Sequence, residues 1–148
     1  MSNEPVSSMP GAGQAPLSQS EERQWAMFAH LGVLVNLISG FLGPLVPLII
    51  YMIYKDRSRY VAYQSLQALI FQLVWWVGGG ILTAIAWAIT GTLSAVLIGL
   101  ICIPFACIIT VIPLVALGYG VYAGIQTNQG LDFKYWLVGD WVRSTLTG

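Results

Sequence analysis

Few side chains in this sequence are equipped for chemistry, and their spacing excludes most of it. His30 is the single histidine. In a membrane helix an imidazole can relay protons or bind a ligand. His30 lies just inside the first apolar segment, with no acid or thiolate beside it to complete a metal site. It reads as a capping or interfacial hydrogen-bonder. Cys102 and Cys107 fall about 140° apart on a helix, too far round to pair or to clasp a metal together. They read as small apolar filler. The amides Asn36, Gln64, Gln67 and Gln72 are more informative, because an amide in hydrocarbon must find a partner. Gln64 and Gln67 are i, i+3 neighbours flanked by Tyr60 and Tyr63. Tyr63, Gln64, Gln67 and Gln72 form a candidate polar patch that lines a cavity or docks a partner. The alternative is interhelical hydrogen bonding with an aromatic belt.

No Asp, Glu, Lys or Arg lies inside an apolar block, which argues against ion-coupled transport. No Ser/His/Asp set, glycine-rich phosphate loop or carboxylate pair is present. No catalytic, cofactor-binding or metal-binding residue is expected, and the protein is not expected to be an enzyme.

The elements that carry these residues follow from composition. Of 148 residues, 57% are hydrophobic and only 8% charged, against about 25% charged in ordinary globular domains. No charge falls between Arg23 and Lys55, or between Arg59 and Asp132. Such runs exceed the ~20 apolar residues of one membrane helix, so the composition excludes a water-soluble domain. Six basic and six acidic residues balance, which excludes a nucleic-acid binder. Residues 1–22, rich in Ser, Pro and Gly at their start, are expected to be a disordered cytoplasmic tail. With no basic stretch followed by a short apolar one, the start does not read as a cleaved signal peptide.

A membrane domain is expected over 23–130. Its first block, Trp25 to Tyr54, is broken by Ser39-Gly40-Phe41-Leu42-Gly43-Pro44 and Pro47. The longer arm reaches only ~22 Å, short of a ~30 Å hydrocarbon core. Two short spans and a hairpin dipping in without crossing both fit. The second block divides at Thr90-Gly91-Thr92 into two long helices, with flexing points at Gly78-Gly79-Gly80, Pro104 and Pro113. Cytoplasmic loops collect Lys and Arg, and Lys55, Arg57 and Arg59 form a basic loop at the membrane surface. If each block crosses an even number of times, Arg23, Lys55, Arg57, Arg59, Lys134 and Arg143 all lie inside. The predicted fold is an all-α integral membrane protein of four helical segments, a short broken pair plus a long hairpin, with both termini cytoplasmic. Residues 131–148 are expected to be an amphipathic interfacial segment, read on a helical wheel although Gly139 weakens a helix there. On it Phe133, Leu137, Val138, Trp141 and Val142 share a face opposite Asp132, Asp140 and Arg143.

Helices in lipid associate through small residues that let backbones approach. Gly80, Ala84 and Ala88 recur every four residues, as do Ala95 and Gly99. A turn at Gly91 would set position 84 opposite about 99, so these faces could meet. A second series, Ala116, Gly120 and Gly124, would receive the short arms or another protein.

Several stretches resemble the Tic-twenty-like family of small membrane proteins. They are Ala29-His30-Leu31-Gly32, the entry through Pro44 and Pro47 to Tyr54-Lys55-Asp56, and Arg59 through Gln72. The closing Phe133-Lys134-Tyr135-Trp136-Leu137-Val138-Gly139-Asp140-Trp141 resembles the family's aromatic-basic-Tyr-Pro end. The family's usual His falls on Gln64 and its Pro on Trp136. The resemblance implies a four-helix integral membrane protein, mostly a bacterial domain of unknown function, with distant kinship to a chloroplast inner-envelope protein-import subunit. A multi-pass protein of the bacterial plasma membrane is therefore expected, a non-catalytic subunit or scaffold of a larger membrane complex. Its expected partners are the lipid bilayer and another membrane protein or a second copy. A homo-oligomeric pore or translocation-like component is the alternative.

Overall fold

The computed structural model describes residues 15–147. Residues 1–14 of the expected tail lie outside the described residues. Among those described, every regular element is helical. Helix α1, Gln19–Leu31, takes in the last four residues of the stretch read as tail. It starts there because Ser18 and Glu21 form a capping box. The Ser18 hydroxyl accepts from the Glu21 amide at 3.4 Å, and the Ser18 amide donates to the Glu21 carboxylate at 2.8 Å.

A 3-10 stretch, Gly32–Val35, and the short α2, Asn36–Ser39, carry the chain on to a turn. Gly40 takes φ +81° there, and the Asn36 side chain accepts from the Gly43 amide at 2.7 Å. Helix α3, Leu45–Tyr54, returns. The Trp76 indole donates to the Gly40 carbonyl at 2.6 Å, so the tip of this first hairpin lies beside the middle of the long helix that follows.

Helix α4, Arg59–Gln72, is capped by Ser58, whose hydroxyl accepts from the Val61 amide at 3.2 Å. A π-helical stretch, Leu73–Gly78, joins it to α5, Gly79–Ser94, without a break. The whole runs 36 residues, or ~54 Å at 1.5 Å per residue. Helix α6, Gly99–Asn128, runs back over 30 residues through Pro104 and Pro113. These two are long and apolar enough to cross a membrane, while α3 is shorter. The closing α7 is Gly139–Thr147.

Three expectations are corrected. The turn of the long hairpin is at Ala95–Ile98, where Leu97 has φ +62°, and not at Gly91. The hydroxyls of Thr90, Thr92 and Ser94 each bond the carbonyl four residues back, at 2.7–2.9 Å, and the helix continues through Gly91. The moved turn resets the register. Thr83 reaches the Ile109 carbonyl and Gly79 lies against Ile112 and Pro113. Gly79, Thr83, Ala86 and Thr90 face α6, while Gly80, Ala84, Ala88 and Ala95 point outward. Gly99 packs against Ser94 and the Thr90 carbonyl at the turn.

The third correction concerns the helical face drawn across Phe133 to Val142, since these residues do not lie on one helix. Leu131–Tyr135 is an irregular strap, in which the Phe133 amide donates to the Leu131 carbonyl at 2.9 Å, and 136–138 a turn, so only α7 is helical. Two backbone groups of the strap, the Phe133 carbonyl and the Tyr135 amide, are bonded to glutamine side chains of α4 instead.

Both hairpins begin and end at one end of the molecule. There Ser58 donates to Glu22 at 2.5 Å, Arg57 to the Ala15 carbonyl at 2.9 Å and Arg59 to the Leu146 carbonyl at 3.3 Å. The Arg23 guanidinium lies against Gly130. Helix α6 packs on α5 at one end and α1 at the other, and α4 packs on α1 and α3. At the α1 crossing, a methyl added at Gly120 would stand 2.9 Å from Val33, and one at Gly124 would stand 3.2 Å from Leu31. Ala116 is buried nearby, against the aromatic cluster.

Candidate functional site

The polar residues flagged by the sequence converge where α1, α4 and the strap meet. His30, Gln64 and Gln67 are each 0% exposed. Helix α4 presents Gln64 and Gln67 from adjacent turns of one face, and α1 brings His30 to the same level. Gln64 Oε1 stands 3.0 Å from His30 Nε2 and also accepts from Gln67 Nε2. Gln64 Nε2 donates to the Phe133 carbonyl at 3.2 Å and to Asp132 Oδ1 at 3.3 Å. Gln67 Nε2 donates to the Phe133 carbonyl at 2.7 Å, and Gln67 Oε1 accepts from the Tyr135 amide at 3.3 Å.

This pattern sets the imidazole tautomer. Gln64 Oε1 only accepts, so His30 Nε2 carries the proton and donates. His30 Nδ1, 3.1 Å from the Tyr135 hydroxyl, therefore accepts from it. Burial raises the Tyr135 hydroxyl well above the ordinary tyrosine range, with Tyr119 adding to the effect, so it stays a donor. Both imidazole nitrogens and all four amide heteroatoms of the two glutamines are engaged. A network satisfied to this extent orders its members.

An aromatic cluster closes over the network. Phe71 stacks on Tyr135 with ring centroids 3.9 Å apart, and Tyr119 and Phe133 meet Tyr135 edge-on at 5.2 and 4.9 Å. Such pairs add about 0.5–1.5 kcal/mol each beyond their buried area. Val138 and Val142 complete the packing. Beside the cluster, an apolar groove of about 270 Å³ lies between Trp75, α6 and Leu137.

The docking patch is corrected in consequence. Gln64 and Gln67 are sealed inside, and Gln72 is buried with its Nε2 donating to the Ala29 carbonyl at 3.4 Å. Tyr63 is apart from them, buried under the Arg143 guanidinium 4.8 Å above its ring. A partner cannot touch the amides unless the strap leaves. The alternative of interhelical bonding describes where they sit, although their main partner is the strap. Tyr135 is the residue that sequence reasoning missed. The strap reads as part of an amphipathic segment, and nothing local ties position 135 to position 30.

Of the basic loop, Arg57 is tied to Ala15 and lies 5.4 Å over the Tyr54 ring, while Lys55 and Arg59 line an open pocket. Among the described residues, no three His, Cys, Asp or Glu side chains gather as a metal site. Cys102 and Cys107 are free thiols on α6.

No curated protein and no solved structure matches the chain. A family model, that of the magnetosome magnetite crystal formation proteins, matches residues 21–142. That match overturns the Tic-twenty-like assignment. The stretches that suggested it are short, and they depart from that family at Gln64 and Trp136. The kinship to protein import goes with it. The match begins in the capping box of α1 and ends at Val142, buried against the strap, so it takes in both hairpins and the network between them. The chain belongs to the MamF/MmsF family of magnetosome magnetite crystal formation proteins.

Proposed function

We propose that the protein is a non-catalytic membrane component of magnetite crystal formation in bacteria. In this reading it works as a scaffold, and the buried network holds the strap and α7 as a fixed platform at the membrane surface. The observation that carries the reading is the family match across residues 21–142, which includes the strap and the start of α7 as well as the hairpins.

The long hairpin crosses the bilayer, with Ile81, Leu82, Ile85, Ile89, Leu100 and Ile101 exposed to lipid. The first hairpin ends beside Trp76, about halfway along the long helix. It enters the membrane and returns without crossing. Ile38, 94% exposed, and Phe41 at its tip are then surrounded by acyl chains and not by water. Arg23, Lys55, Arg57, Arg59, Lys134 and Arg143 gather at the end that holds both described termini, which the positive-inside tendency places in the cytoplasm. Trp136 and Trp141, 83% and 60% exposed, suit the headgroup layer there. The platform docks another membrane protein or a second copy. A pore gains no support, since the hydroxyls of Thr83, Thr90, Thr92 and Thr110 are turned back onto their own helices.

The test is deletion of the gene in a magnetite-forming bacterium, with crystal dimensions measured by electron microscopy and the protein located by fractionation. Altered crystals, together with recovery of the protein in the magnetosome membrane, are expected. Unaltered crystals would overturn the reading.

A further inference from the structure

The end of the molecule that gathers the cations also holds a polar cavity of about 690 Å³. It is lined by Lys55, Arg59, Tyr60, Tyr63, Asp132 and Arg143, with Ala62 and Leu146. That size lies within the usual range of ligand pockets. Its three cations face one carboxylate, and that carboxylate is already taken. Asp132 Oδ2 is 2.5 Å from the Arg143 guanidinium. Arg59 spends one N–H on the Leu146 carbonyl at 3.3 Å, which leaves most of its five donors. The Lys55 ammonium has no hydrogen-bond or ion-pair partner among the described residues. The cavity is therefore a concave site with two uncompensated positive charges, one a planar fork and one a point charge. That pair suits a phosphate group, which takes the fork through two oxygens and the ammonium through a third.

Position narrows the source. Lys55 follows the apolar α3 directly, and Arg59 opens the long apolar helix, so both stand where hydrocarbon gives way to headgroups. The Tyr60 hydroxyl is fixed on the Leu131 carbonyl at 2.9 Å, which makes the ring a rigid wall. We infer that this cavity binds a phosphate group through Lys55 and Arg59, supplied by an anionic phospholipid headgroup or by free phosphate. The lipid source rests on the membrane reading proposed above, and the free-phosphate source does not.

The test uses the full chain in mild detergent, with native mass spectrometry counting bound phosphatidylglycerol, phosphatidylcholine as the uncharged comparison, and inorganic phosphate as a separate probe. Removing two charge-assisted contacts in Lys55→Ala/Arg59→Ala should lower occupancy about tenfold or more, while Lys55→Arg/Arg59→Lys should retain it. Lys134→Ala lies outside the cavity and should leave it unchanged. Charge-dependent retention of phosphatidylglycerol that inorganic phosphate does not displace identifies the lipid headgroup. Binding of inorganic phosphate that the alanine pair abolishes identifies the soluble source. Equal retention by the native chain and the alanine pair, for both probes, overturns the site. Flotation with uncharged vesicles tests membrane insertion separately, so failure of one reading is distinguishable from failure of the other. Unchanged helical circular dichroism in each variant shows that the fold has survived.

Discussion

Gln67 holds the strap with both heteroatoms of its amide, donating to the Phe133 carbonyl and accepting from the Tyr135 amide. Replacing it with Leu strands the buried Tyr135 amide and leaves the Phe133 carbonyl to Gln64 alone, and an unpaired buried group costs about 1–3 kcal/mol. Gln67→Leu should therefore lower stability by about 1–3 kcal/mol in detergent and expose 131–138 to protease, which mass mapping of the fragments would detect. Tyr135→Phe keeps the ring stack but leaves the buried His30 Nδ1 without its donor, so its cost should also be about 1–3 kcal/mol. The variants should differ in the strap, which Tyr135→Phe leaves protected because its backbone bonds to Gln64 and Gln67 remain. Equal cleavage of 131–138 in both would contradict this division of labour. The glutamines were legible in the sequence because an amide among apolar residues needs a partner. Their partners were not legible, since a bond from position 30 to position 135 exists only after both hairpins have closed.

At the scale of elements, composition located the helices and misplaced their faces. Glycine and threonine at 90–92 look like a turn, yet hydroxyls bonded to the preceding carbonyls let the helix run on to Ser94. Extending the helix moved every facing pair of the long hairpin, and the small residues at 80, 84 and 88 turned outward. Spacing alone could not choose between neighbouring stripes about 100° apart on one helix. The crossing of α1 over α6 supplies a sharper test. Gly120→Val would drive a side chain into Val33, whereas Gly118 has open space around it. Gly120→Val should lower the thermal midpoint in detergent by several degrees, and Gly118→Val should leave it nearly unchanged. The start of α1 should respond to acid. Hydrogen bonds from Ser18 hold the Glu21 carboxyl below its usual range. A depressed folded value means that the capping box contributes above the ordinary carboxylate range and is lost as pH falls through the lowered value. Amide exchange at 19–22 should then quicken, and Ser18→Ala should produce the same fraying at neutral pH.

For the whole molecule, the account predicts two hairpins of unequal depth rising from one platform. Charge distribution alone pointed to both blocks returning to the same end. The depth of the first one needed the contact between Trp76 and Gly40. With Cys102 and Cys107 replaced, single cysteines at Ser39, Asp56 and Val96 can be labelled with a membrane-impermeant maleimide. Asp56→Cys should react from one side and Val96→Cys from the other, with Ser39→Cys protected from both. Labelling of Ser39→Cys from the side that reaches Val96→Cys would mean that the first hairpin crosses.

The central claim is that the locked platform is what the protein contributes to crystal formation. The most direct measurement is the magnetite crystal size distribution in cells whose only copy carries Gln64→Leu and Gln67→Leu, at membrane levels matched to the native protein. The same defect as deletion is expected, because the strap is released while the apolar hairpins still insert. Crystals of native size and shape, with the strap shown to be cleavable, would contradict it.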